Sequence, residues 1–169
     1  MSTPRLLLDK YDARLKAPFA TLGIIASDTH LLHVHFLPLD VMAKAPKTNT
    51  VAHLASVQLM GYLDNPDFEF DLPLMLAGSK HQLDVWQAMR NIAAGKTQTY
   101  GDLAANIDSS ARAVGTACGQ NPVPIVVPCH RVVAANGLGG FMGGKQRDPL
   151  AIKRWLLAHE ATHQETSLF

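Results

Sequence analysis

The spacing of apolar residues changes once along this chain, and that change limits the folds open to it. Up to Pro38 the pattern has the two-residue period of half-buried strands: Ala13-Arg14-Leu15, Thr21-Leu22-Gly23-Ile24-Ile25 and Leu31-Leu32-His33-Val34-His35-Phe36-Leu37. Asp28-Thr29 supplies a turn between the last two, so a small antiparallel sheet is predicted. The spacing then becomes helical. Residues 49–63 carry Val51, Leu54, Ala55, Gln58 and Leu59 at turn spacing. Asn65-Pro66-Asp67 breaks that helix, and Phe68-Glu69-Phe70 reads as one more short strand. Leu72 to Gly78 reads as a linker. Beyond it, Ser79 caps a helix whose stripe is Leu83, Trp86, Met89 and Ile92, ending near Gly95. Thr99 caps a short helix through Ala105, and Ser109 caps a third from Ser110 to about Cys118, the order of a helix-turn-helix. A last helix starts at Pro149, with Ile152, Trp155, Leu156 and His159 on one face. The expectation is an α+β chain. Residues 1–78 form a small α/β support domain with an antiparallel sheet, and residues 79–169 an all-α, winged-helix-like domain.

Charge is uneven along this order. Residues 1–79 carry six Lys/Arg against eight Asp/Glu, whereas residues 80–155 carry nine against four. The helical half therefore holds a basic field of the sign that attracts phosphates, although a solvated surface gives the same count. Two cysteines, Cys118 and Cys129, are too few for a disulfide framework or a thiolate zinc cluster. No signal-like or membrane-spanning run is present, which predicts a soluble, cytoplasmic protein with no membrane partner. His33 and His35 share a strand face without an evident third ligand, so they read as ordinary strand histidines and no metal is expected.

Chemistry concentrates at Val127-Pro128-Cys129-His130-Arg131-Val132, where a thiol stands beside an imidazole. A nucleophilic thiol needs a base or a positive field to become thiolate, and histidine supplies either near neutral pH. In an extended segment the two side chains point to opposite faces, which favours contact through one water. Glu160 is the carboxylate best placed to orient the imidazole, because it follows the apolar face of the last helix. The pair alone also fits a buried structural thiol beside a surface histidine. The helix Ser110-Ala111-Arg112-Ala113-Val114-Gly115-Thr116-Ala117 is built of small residues, which suits either close packing or a narrow groove with Arg112 inserted.

Four segments together resemble the O6-alkylguanine-DNA alkyltransferases, also called methylated-DNA–protein-cysteine methyltransferases. They are Tyr100-Gly101-Asp102-Leu103-Ala104, Ala111-Arg112-Ala113-Val114-Gly115, Asn121-Pro122-Val123-Pro124-Ile125-Val126-Val127-Pro128-Cys129-His130-Arg131-Val132-Val133 and Lys153-Arg154-Trp155-Leu156-Leu157-Ala158-His159-Glu160. The likeness spans about residues 79–161. It implies single-use repair: a base is flipped from double-stranded DNA carrying O6-alkylguanine, and its alkyl group passes irreversibly to Cys129, with no cofactor, in a monomer. O4-alkylthymine is a second lesion to consider. By the same resemblance His130 is the water-mediated base, Glu160 holds it, Asn121 braces the loop and Tyr100 protonates the purine. Arg112 fills the emptied stack, with Ser110, Ala111, Ala113, Gly115 and Arg131 also at the DNA. The carbonyls of Cys129 and Val132 take the exocyclic amine, while Phe141, Met142 and Gly143 wall the pocket.

The chain departs from that pattern at Phe141, where the family usually has Tyr, at Met142, where a small residue is common, and at His81-Gln82, usually Phe-Gln. The loop from Gly144 to Trp155 is longer, and Lys145, Gln146 and Arg147 are candidates for phosphate contacts. Rival readings are an alkyltransferase-like protein that only flags the lesion, a cysteine hydrolase, and a helix-turn-helix regulator. The first lacks the acceptor thiol present here, the second needs an oxyanion hole, and the third needs base-reading side chains. Cys118 either lines the pocket or packs in the helices.

Overall fold

The computed structural model describes residues 4–144 and 148–167, with side chains of the last helix described through Ala161. Lys145, Gln146 and Arg147 lie outside the described residues. The chain divides into two units, Met1–Leu76 and Ala77–Phe169.

In the first unit a short helix α1 (Arg5–Leu8) precedes three antiparallel strands, β1 (Ala13–Lys16), β2 (Thr21–Ala26) and β3 (Leu31–Leu37), in that spatial order. Leu22 pairs with Leu15 and Phe36, and Ile24 with Ala13 and Val34, so the two-residue period sends one set of apolar side chains to a common face. Helix α2 (Val51–Asp64) starts at Thr50, whose hydroxyl accepts from the His53 amide at 3.1 Å. It buries Ala52, Ala55, Leu59 and Tyr62 and packs on β1, β2 and β3. Leu54, expected inside, is 42% exposed. Phe68-Glu69-Phe70 forms no strand. Its neighbour Asp71 has its backbone N–H and carbonyl bound by the Gln58 side chain at 2.8 and 2.9 Å, while Phe68 and Phe70 pack edge-on. A side chain thus supplies the hydrogen bonds that a ladder would have made. His33 and His35 lie side by side on β3, with His35 Nδ1 2.8 Å from the Tyr11 hydroxyl.

The second unit is helical. Helix α3 (Lys80–Arg90) opens with a full capping box: the Ser79 hydroxyl accepts from the Gln82 amide and the Gln82 side chain accepts from the Ser79 amide. It buries Val85, Trp86 and Met89, whereas Leu83 faces out, so the apolar stripe is turned relative to the predicted one. Helix α4 (Tyr100–Asn106) is capped by Thr99, and α5 (Ala111–Gly119) by Ser110, one residue later than expected. Ser109 instead meets His81 at 2.7 Å, which gives that departure from the family pattern a local partner. Trp86 Nε1 donates to the Ala117 carbonyl at 2.9 Å and ties α3 to α5. Two-residue strands β4 (Gln98–Thr99) and β5 (Val132–Val133) pair in parallel. Helix α6 (Pro149–Ser167) closes the unit and buries Ile152, Lys153, Leu156 and Glu160.

Candidate active site

The loop from α5 to Cys129 is clamped by the Asn121 side chain and by backbone hydrogen bonds from the Val127 and Cys129 amides to the Val123 and Val127 carbonyls. Asn121, buried, donates from Nδ2 to the Val127 carbonyl at 2.7 Å and accepts at Oδ1 from the Val123 amide at 3.0 Å. Inside this clamp Ile125 has φ +74°, a left-handed conformation that a β-branched residue adopts only under constraint, at a cost of about 1–3 kcal/mol. Pro128 then leads into a single 3-10 turn, Cys129–Arg131. The thiol and imidazole are therefore not on an extended segment, as expected, but about 120° apart around a tight turn. The turn forms because the Arg131 amide bonds back to the Pro128 carbonyl at 3.0 Å.

His130 is fully buried, and its Nε2 lies 2.7 Å from Glu160 Oε1. Glu160 also receives Arg131: Nη2 at 2.7 Å and Nε at 2.9 and 3.1 Å, while Arg131 Nη1 donates to the Ile92 carbonyl at 2.7 Å. Arg131, expected at the DNA, is thereby engaged inside the protein, with 12% of its side chain exposed. The correction changes the electrostatics. Burial alone would raise the Glu160 pKa, but the hydrogen bonds from His130 and Arg131 prevail and hold it down at about 2. Because Arg131 already balances that carboxylate, burial keeps the His130 pKa below its ordinary value and the imidazole neutral. A neutral ring that donates from Nε2 to Glu160 presents a lone pair at Nδ1, and Nδ1 has no hydrogen-bond partner among the described residues. That nitrogen is disposed to take a proton.

Cys129 lines a cavity of about 260 Å³ with Tyr100, Gly115, Cys118, Gly119, Gly140, Phe141, Met142 and Gly143. The residue is 3% exposed, and burial pushes its pKa up to about 11, with the Asn121 amide and the Lys153 charge pulling the other way. Burial likewise raises Tyr100 to about 12, and its hydroxyl donates to the Gly140 carbonyl at 3.3 Å. The loop passes close beneath that ring. At Gly139, φ is +71° and a Cβ would stand 2.7 Å from Tyr100, so only glycine fits. Phe141, Met142 and Gly143 line this cavity. Val132 does not; its carbonyl accepts from Lys153 Nζ at 2.7 Å. Cys118 both lines the cavity and packs, 3.5 Å from Met89 Sδ. Arg112 and Ala111 are exposed at the start of α5, and Ala113 and Gly115 are half-buried along it. Among the described residues, no group of three or more His, Cys, Asp or Glu side chains could hold a metal, and no helix is long and apolar enough to cross a membrane.

The residue missed in the sequence is Lys153. It is fully buried, donates to the Val132 and Gly140 carbonyls at 2.7 and 2.8 Å, and is brought down to about 8 by burial despite the opposing pull of Cys129. Its signal was present: a lysine on the buried stripe Ile152, Lys153, Leu156, Glu160 of α6. Two carbonyls rather than a carboxylate hold the ammonium, so its charge acts on the thiol without being neutralised. Lys153→Met is expected to slow thiol chemistry about tenfold at neutral pH and move the rate's alkaline rise upward, since the cation no longer favours thiolate. A pH–rate profile checks this, and an unmoved profile would take Lys153 out of the site.

A family model described as the DNA-binding domain of 6-O-methylguanine DNA methyltransferase matches residues 80–162. A methylated-DNA–protein-cysteine methyltransferase of Methanosarcina acetivorans is 35% identical over 159 residues, 90% of this chain and 99% of that one. A protein of the same name from Mycolicibacterium paratuberculosis is 46% identical over 114 residues, and the match covers 66% of each chain. The crystal structure of Mycobacterium tuberculosis O6-methylguanine methyltransferase aligns with a TM-score of 0.74 at 32% identity, over 88% of this chain and 91% of that one. For the same organism's OGT in complex with DNA the TM-score is 0.72, again at 32% identity and over 88% and 91% of the two chains.

Proposed function

The chain belongs to the methylated-DNA–protein-cysteine methyltransferases, a family of DNA-binding repair proteins, and from that premise we propose the chemistry of each residue at its site. Cys129 accepts an alkyl group from O6 of a guanine extruded from double-stranded DNA. The observation that carries this reading is a thiol in the wall of a small cavity, followed directly by a neutral imidazole that a carboxylate orients. A cavity of about 260 Å³ suits one planar base better than a larger ligand.

Extrusion comes first, because the alkyl carbon of a stacked base is out of reach of any side chain, and it costs a few kcal/mol. The small residues Ala111, Ala113 and Gly115 let α5 approach a groove closely, with Ser110 at its start, and Arg112 occupies the gap in the stack. His130 Nδ1 takes the Cys129 proton through one water. Sγ then attacks the alkyl carbon in line, forming an S–C bond as the C–O6 bond breaks and its electron pair passes to the purine. Tyr100, kept protonated by its raised pKa, gives the purine a proton so that guanine leaves neutral. His130 holds the proton that Cys129 lost and Tyr100 lacks the one the base gained; exchange with solvent water resets both, so the sum balances without a cofactor. The thioether is stable, and each monomer reacts once.

Peptide mass spectrometry after mixing with excess duplex bearing one O6-methylguanine tests the reading. The expected result is a gain of one methylene per molecule, confined to the peptide containing Cys129. Tight lesion binding with an unchanged mass would make the protein a damage sensor instead.

A further inference from the structure

Met142 stands closer to the reacting atom than a wall residue needs to. Its Sδ lies 3.7 Å from Cys129 Sγ, and the cavity wall elsewhere is largely glycine: Gly115, Gly119, Gly140 and Gly143. The backbone fixes it there. Met142, Gly143 and Gly144 have φ of +52°, +65° and +71°, a left-handed run that a methionine joins at a cost of about 1–3 kcal/mol. Nor can the loop retreat towards α5, because a Cβ at Gly119 would already lie 3.0 Å from the Gly143 amide nitrogen. Phe141, on the other side of Met142, is buried. The thioether therefore stands against the thiol on a loop that cannot withdraw towards α5.

We propose that Met142 sets the size of alkyl group this protein accepts: its side chain fills the space beside Sγ that the outer atoms of a large substituent need, and so favours methyl over bulky, aromatic groups. In-line attack places the alkyl carbon at Sγ, and whatever that carbon bears must lie beside it. A methyl group bears nothing further. A benzyl group carries a ring into the volume of the Met142 side chain. Methionine is flexible, so the exclusion is graded.

The inference rests on the alkyl-transfer reading, and the test separates the two. Single-turnover rates are measured on duplexes containing O6-methylguanine or O6-benzylguanine, for the wild type, Met142→Ala and Met142→Leu. Met142→Ala is expected to raise the benzyl-to-methyl rate ratio by at least about tenfold, the effect of emptying a hydrophobic contact, while Met142→Leu keeps the wild-type ratio. A ratio unmoved by Met142→Ala, with methyl transfer intact, overturns the size limit alone. So does a Met142→Leu ratio that rises as far as that of Met142→Ala. A wild type that takes up no methyl overturns the transfer reading beneath it.

Discussion

Cys129→Ala is expected to take up no alkyl group from a duplex bearing O6-methylguanine, at any time or protein excess, yet to bind that duplex as tightly as the wild type, within about threefold. The two halves of this result come from different parts of the unit. Transfer needs the sulfur, and the other thiol that lines the cavity, Cys118, cannot replace it. Burial holds Cys118 at about 12, and its Sγ lies against Met89 Sδ. On the proposed reading, binding rests on α5 and the cavity wall, which a smaller apolar side chain at position 129 leaves in place. Intact-mass measurement and a gel-shift titration read the two halves separately. Residual transfer in this variant would move the acceptor to another residue, and lost binding would make Cys129 part of the recognition surface.

The second large effect is expected at Glu160, whose replacement damages fold and rate together. Glu160→Ala leaves the Arg131 guanidinium without its carboxylate in a nearly buried position, a loss of about 3–5 kcal/mol. Glu160→Gln keeps the shape and costs less, but a neutral amide can turn either its oxygen or its nitrogen to His130 Nε2. With the nitrogen there, the imidazole proton moves to Nδ1, the atom that has to accept, and transfer falls at least about a hundredfold. The dependence on acid has a definite sign. Glu160 is lowered from 4.5 to about 2 on folding, so its stabilisation is fully present above 4.5 and disappears as pH falls towards 2. Urea unfolding of wild type and Glu160→Gln should differ most above that range and converge below it. A constant difference across it would show that the carboxylate does not carry the stability.

Features coded within a few residues were legible in the sequence. The strands of β1 to β3 follow from alternation, and the starts of α3 and α4 follow from Ser79 and Thr99, because a cap bonds to an amide three residues away. Cys129, His130 and Glu160 could be chosen by type and order. Arg131 could not: its carboxylate lies 29 positions on, and a surface role and a buried one look alike in a sequence. The 3-10 turn at Cys129 was hidden by apolar neighbours that read as a strand. Phe68 to Phe70 has the composition of a strand, yet the Phe68 amide closes a turn on Asn65 and the next residue, Asp71, is bound by the Gln58 side chain on another element. Lys153 was passed over because a charged residue inside an apolar stripe reads as a break in the stripe, not as part of its interior.

The burial of Cys129 also governs the shelf life of an unreacted molecule. A protein consumed by its own reaction is a stored reagent, and its usefulness depends on how slowly it discharges before its target arrives. With the thiol pushed up to about 11 by burial and shielded from solvent, the unreacted protein holds little thiolate at pH 7. Peroxides and free alkylating agents in solution therefore meet almost no nucleophile. The lesion is met differently, because it is carried into the cavity and placed beside the sulfur while a base is at hand. The capacity of the pool is thus set by how many copies were made and how many lesions they met, and hardly by the electrophiles encountered in between.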